Sequence, residues 1–160
     1  MIKTKFSIRA YLIGLAFLFS VFLMIKILQT SLSSNSGELF HTIFFSLITI
    51  FIFVSLFSEI RTKAIIFQIK GREVVVKYFF GIFPTSFMKN EINGWKYSRV
   101  EFRSNVYEYL YLYKDGNKIA KISQYYHRNY FKIKNEIQGE FKYLGYEEQT
   151  LTQNFKDIFK

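Results

Sequence analysis

"EYLYLYKDGNKIAKIS", residues 108–123, places two alternating runs on either side of Asp115-Gly116. That dipeptide tolerates the positive φ angles of a tight hairpin turn, and period-two alternation marks strands with two unlike faces. Leu110 and Leu112 share one face, while Tyr109, Tyr111 and Tyr113 share the other. With Asp115 and Gly116 as the loop, Leu112 is expected opposite Ile119 and Tyr111 opposite Ala120. The leucine face reads as core. The tyrosine face reads as half-covered, its rings packed and its hydroxyls reaching water, and as a candidate partner surface.

The same pattern extends upstream. β-branched and aromatic runs occupy residues 64–70, 73–80, 85–92, 95–104 and 106–113, with the return strand at 118–123. Gly71-Arg72, Gly81–Pro84 and Asn93-Gly94 punctuate them. Short turns between short strands imply an antiparallel meander curled into a small sandwich or open barrel. Beyond Ser123 the period changes: Ile133, Ile137, Phe141 and Leu144 form the stripe of an amphipathic helix. Asn129 is expected to cap its start and Gly145 to end it. Residues 146–160 are left as a tail, with Leu151, Phe155, Ile158 and Phe159 able to form one more amphipathic turn.

The first 57 residues are of another kind. "AYLIGLAFLFSVFLMIKILQ" (10–29) is apolar except for Lys26, and "LFHTIFFSLITIFIFVSLF" (39–57) contains no fully charged residue. About 20 apolar residues at 1.5 Å each cross a hydrocarbon core of about 30 Å, so two membrane spans are expected. A small soluble domain could not cover two such helices all round. The run's length, Lys26 near its end and the second span that follows argue against a cleaved leader. The intervening "TSLSSNSGE" (30–38) lacks Lys and Arg, whereas the other flanks carry Lys3, Lys5, Arg9, Arg61 and Lys63. The positive-inside rule then puts both termini in the cytoplasm. Lys26 can snorkel to the headgroups.

The formal charge of +10 is dispersed. Four of the 22 basic and one of the 12 acidic residues lie before Ser58, which leaves 18 and 11 after it. Those charges are scattered through strand-like segments, which favours contact with anionic lipid over nucleic acid. Arg61, Lys63, Lys70 and Arg72 are the candidate membrane-surface residues.

A two-helix membrane hairpin, a β-meander and one C-terminal helix resemble the bacterial pleckstrin-homology-like (PH-like) membrane proteins. The resemblance rests on "FQIKGREVVVKYFFGIF" (67–83), "EINGW" (91–95), and "YLYLYKDGNKIAKIS" followed by "YYHRNY" and the helix. It implies an α+β domain, spanning 58–145, held at an inner (cytoplasmic) membrane. It implies no reaction and no ligand. The Lys70-Gly71-Arg72 tip is too short to wrap a lipid headgroup, which sets headgroup recognition aside as the lesser alternative.

Catalysis is not expected. The chain has no cysteine, and its two histidines, His41 and His127, fall on opposite sides of the bilayer in this topology. No nucleotide-binding glycine loop, zinc-protease motif or nucleophile elbow occurs. No cofactor, metal or small-molecule substrate is therefore expected. The partners expected are the bilayer and another membrane protein, with Ala10 and Gly14 as one small-residue pair for helix packing. The function that follows is an anchored binding or scaffold module, an accessory protein of a bacterial inner-membrane assembly. The alternative is an immunity-type membrane protein that occludes a membrane-acting toxin.

Overall fold

The computed structural model describes residues 2–33, 39–102 and 105–148. Helices α1 (Ile8–Ser33) and α2 (Leu39–Lys63) pair along their length. Phe17 of α1 lies against Phe53 and Phe57 of α2, with ring centroids 5.3 and 6.2 Å apart. The buried hydroxyls of Ser20 and Thr49 donate to Phe17 O and Phe45 O within their own helices, so they cost little there. Only 6% of each apolar stretch is buried, and Leu12, Leu15, Phe22, Phe44 and Phe51 point outward. Both helices are long and apolar enough to cross a membrane, and neither has a polar face to offer water.

Residues 58–63, expected from sequence to open the domain, are the end of α2. Ala64 and Ile65 follow, fully buried, and the chain enters the domain without a flexible joint.

The domain has two four-stranded sheets. The first has the order β1-β2-β3-β4, from β1 (Ile2–Lys3), β2 (Ile66–Lys70), β3 (Glu73–Tyr78) and β4 (Phe83–Met88). The second runs β7-β6-β5-β8, from β5 (Gly94–Phe102), β6 (Asn105–Lys114), β7 (Asn117–Ser123) and β8 (Tyr143–Tyr146). Helix α3 (Tyr130–Glu140) completes an α+β layout. Phe67, Val74 and Val76 of the first sheet, Leu110, Leu112 and Ile122 of the second, and Ile133 and Ile137 of α3 form one core without solvent exposure.

Strand β1 is a feature the sequence pattern did not disclose. It precedes α1, yet Ile2 and Lys3 pair antiparallel with Ile69 and Gln68 of β2, which follows α2. Thr4 extends the contact: its amide donates to Phe67 O, and its Oγ1 accepts from Phe67 N, both at 2.9 Å. The helical hairpin is therefore an insertion between two adjacent strands of one sheet, and the N-terminal strand lies at the same end of the helix pair as the domain.

Three other expectations are corrected. The Asp115-Gly116 turn has both φ angles positive, as expected, but a bulge between Leu112 and Tyr113 makes Leu112 oppose Ala120 and Tyr111 oppose Lys121. Ile119 is the extra residue of that bulge. Helix α3 ends at Glu140, and Leu144 and Gly145 belong to β8. There β8 lies parallel to β5: Trp95 N donates to Lys142 O and Glu147 N to Tyr97 O, both at 2.9 Å. The backbones come so close that a Cβ at Gly94 would stand 2.2 Å from Lys142 O. Pairing along the open edge of β5 competes successfully with one more helical turn, which Gly139 already weakens. Asn129 occupies the N-cap position, but its side chain makes no capping hydrogen bond to the helix. Its Nδ2 donates to Lys3 O at 2.8 Å and its Oδ1 accepts from Lys5 N at 2.7 Å, which clamps the N-terminal strand instead.

Candidate functional site

Two regions concentrate chemistry: the junction where the helices meet the domain, and the tyrosine face of the second sheet. At the junction, β3 stops at Tyr78 and the chain turns through Phe79, Phe80 and Gly81, with φ angles of 50°, 56° and 106°. The left-handed region costs a bulky residue about 1–2 kcal/mol, and two consecutive phenylalanines adopt it here. The packing explains why. Phe79 lies 5.3 Å from Phe57 of α2. Phe80 lies 5.1 Å from Phe6 and 6.4 Å from Tyr11, and a Cβ on Gly14 would be only 3.1 Å from its Cζ. Gly14, expected to pack helix on helix, instead admits a ring from the domain. Phe80 N also donates to Ala64 O at 2.8 Å.

His127 is buried beside this turn, stacked on Phe6 at 5.4 Å. Its Nδ1 faces Ser123 O and its Nε2 faces Ile65 O, each at 2.9 Å. A neutral imidazole donates only one of those bonds, so the carbonyls favour the charged ring, but burial outweighs them and holds the pKa below its ordinary value. Tyr126, the residue before it, donates to Glu59 Oε2 of α2 at 3.0 Å. Burial, then the adjacent Glu59 carboxylate, push the Tyr126 hydroxyl far above the usual tyrosine range. These bonds join α2, the end of β7 and the N-terminal segment at one point.

The four basic residues expected as one membrane-facing set separate into two pairs. Lys63 is half-buried in the last turn of α2, bonded to Glu59 at 2.6 Å, with its ammonium 5.6 Å from the Tyr109 ring. Arg61 is half-buried two residues earlier, in the same last turn. Lys70 and Arg72 are exposed at the tip of the β2–β3 hairpin, four residues and about 13 Å along the strand from Ile66. Arg9, not among the four, is the basic residue that α1 brings to the domain: it lies 4.5 Å over Tyr125 and donates to the Tyr107 hydroxyl at 3.2 Å.

The leucine face of β6 is core, as read from its spacing; on the tyrosine face Tyr109 is half-buried, as expected, but its two neighbours are not. Tyr111 and Tyr113 are buried. Their hydroxyls stay inside, the first 3.0 Å from Ser98 Oγ and the second on the Glu147 carboxylate. Lysines provide the cover: Lys118 lies 4.8 Å from the Tyr111 ring, Lys121 5.1 Å from Tyr109, and Lys96 5.1 Å from Tyr113. Cation–π contact and the salt bridge from Lys118 to Glu147 at 2.7 Å make this a closed structural layer. The exposed aromatic surface lies at β8 instead, where Tyr143 and Tyr146 pack against Trp95 and Tyr97 while half of each remains in solvent.

Glu108 is held by Lys134 at 2.6 Å and Arg99 at 3.2 Å. Burial pushes its carboxyl up, but the two cations together keep its pKa below the usual value. At the opposite end of the helix pair, Lys26, His41, Thr42 and Thr49 line a cleft of about 610 Å³ between α1 and α2. Among the described residues, no three His, Cys, Asp or Glu side chains converge as metal ligands would. Comparison with protein-family models, with curated proteins and with solved structures finds no match to this chain.

Proposed function

We propose that this protein is a membrane-anchored binding module: α1 and α2 span a bilayer, and a PH-like domain acts at its cytoplasmic face by contact with another membrane protein. The observation that carries the reading is the insertion of the helical hairpin between β1 and β2. A domain tethered by a flexible linker samples every orientation. This one is joined at both helix ends, through Thr4, Asn129, His127 and Tyr126, and presents one fixed surface at a fixed height. A fixed orientation near the membrane raises the effective concentration for a neighbouring membrane protein, so modest contacts suffice.

The basic residues Arg9, Arg61 and Lys63 stand at the domain end of the helices, which supports the cytoplasmic side for the domain and an inner membrane for the chain. The exposed β8 aromatics Tyr143 and Tyr146 are the surface best suited to a partner, because aromatic residues dominate contact energies and these two need no rearrangement to be reached. The test is photocrosslinking in intact membranes from a photoreactive residue at Tyr146, with Arg72 as the comparison site, followed by mass spectrometry. A discrete crosslinked membrane protein at Tyr146, absent at Arg72, is expected. Equal, diffuse labelling from both positions would refute the reading.

A further inference from the structure

We propose that the turn after β3 is a third membrane-seated element, with Ile82 and Phe83 inserted into the headgroup–acyl boundary beside the two helices. The inference rests on the reading that α1 and α2 span a bilayer. Its argument is one of depth. Phe80 packs on Gly14, five residues past Arg9 on α1, and Phe79 packs on Phe57, four residues before Arg61 on α2. At 1.5 Å per residue these contacts stand about 7.5 Å and about 6 Å along the helices from the charged level. Apolar side chains of interfacial elements lie about 5–10 Å into the boundary layer, so the two independent contacts put the turn at that depth.

Ile82 and Phe83 continue the turn and meet no comparable cover: they are 71% and 59% exposed. Gly81, with φ 106°, reverses the chain so closely that a Cβ there would stand 2.9 Å from Ile66 Cδ1. The reversal leaves the side chains of Phe79 and Phe80 on the helices and those of Ile82 and Phe83 largely exposed, with the Phe83 ring edge-on to Phe79 at 5.6 Å. Exposed aliphatic and aromatic side chains contiguous with two lipid-facing helices fit acyl chains and headgroup carbonyls. A lipid surface is thus the occupant the geometry commits to.

The chain has no cysteine, so single cysteines can carry a nitroxide at Ile82, Phe83, Arg72 and Phe44 without other changes. The full-length protein is placed in phosphatidylcholine–phosphatidylglycerol vesicles, and collision rates with oxygen and with a polar nickel chelate are measured at each site. Oxygen concentrates in lipid and the chelate in water. The ratio of the two rates is expected to be several-fold higher at Ile82 and Phe83 than at Arg72, and to approach that at Phe44. A lipid-like ratio at Phe44 with water-like ratios at Ile82 and Phe83 overturns the proposal and leaves the spans standing. Poor access of both reagents to Ile82 and Phe83 also overturns it, since protein then covers the turn. A water-like ratio at Phe44 itself refutes the spans, and the proposal falls with them.

Discussion

Thr4→Val isolates the link between the N-terminal strand and the domain. The substitution keeps the branched shape and removes the Oγ1 that accepts from Phe67 N at 2.9 Å. Thr4 is 4% exposed and Phe67 fully buried, so water cannot replace the lost acceptor. A buried amide left without a partner costs about 1–3 kcal/mol. The second bond of the pair, from Thr4 N to Phe67 O, involves only backbone and survives the change. At the middle of that range, about 2 kcal/mol, the melting midpoint of a chain of this size falls by roughly 4–8 °C. Thermal unfolding in mild detergent, followed by far-ultraviolet circular dichroism, measures it. Hydrogen exchange of a peptide containing Phe67 checks that the loss is local. Thr4→Ser keeps the acceptor and is expected to retain most of the stability. If Val and Ser both melt with the wild type, β1 is not part of the folded domain. If Ser loses stability and Val does not, the methyl group and not the hydrogen bond is what Thr4 contributes.

Other outcomes follow from the same interactions. Ile137→Asp puts a charge in the fully buried contact between α3 and the sheets, and is expected to abolish the cooperative melt at a cost of several kcal/mol. Because the folded pKa of His127 lies below its ordinary 6.5, the unfolded chain binds the extra proton first. Stability is therefore full above about pH 6.5 and declines as pH falls from there toward the folded pKa; His127→Gln should flatten that slope in a pH series of melts. Glu108 has a lowered folded pKa, so its contribution is present above the ordinary carboxylate pKa and is lost as pH falls through the folded value. Glu108→Gln is expected to reduce the acid sensitivity of the melt below about pH 4.5 while lowering stability at pH 7. A fragment that begins at Ser58 lacks β1 and leaves the β2 edge unpaired; it is expected to melt lower than the full chain or to associate in sedimentation velocity.

The sequence carried the parts of the fold whose signals are local. Alternation in residues 108–123 disclosed the leucine core face, and the length of the apolar runs disclosed both long helices. What it missed depends on pairing between distant residues. β1 is two residues long and has no period to detect; only Thr4, Asn129 and the open edge of β2, 60 or more positions away, make it a strand. β8 follows a stripe that fits a helix as far as Leu144, and the free edge of β5 decides against it. The bulge at Ile119 is likewise set by the partner strand. Among the candidate site residues, the tyrosines were placed on the correct face, but their cover by Lys96, Lys118 and Lys121 arises across strands and could not be counted along one. The "FFGIF" run at residues 79–83 was visible as a break in a strand; its contact with both helices was not.

The opening hairpin and the apolar helices belong together because the helices are held inside the domain's own sheet. Their ends are fixed by strands on either side, β1 before and β2 after, and the short polar contacts there are buried or clamped rather than left to solvent. Two consequences follow from that arrangement. A tilt or rotation of α1 relative to α2 must move β1 against β2, so strain between the helices is transmitted directly to the first sheet. Conversely, a force on the domain acts directly on the helix pair. A loosely tethered module needs none of this. The strained Phe79-Phe80 turn, wedged between the two helices, has the same logic: its left-handed backbone is tolerated because both rings fill space that would otherwise let the domain rock on its base.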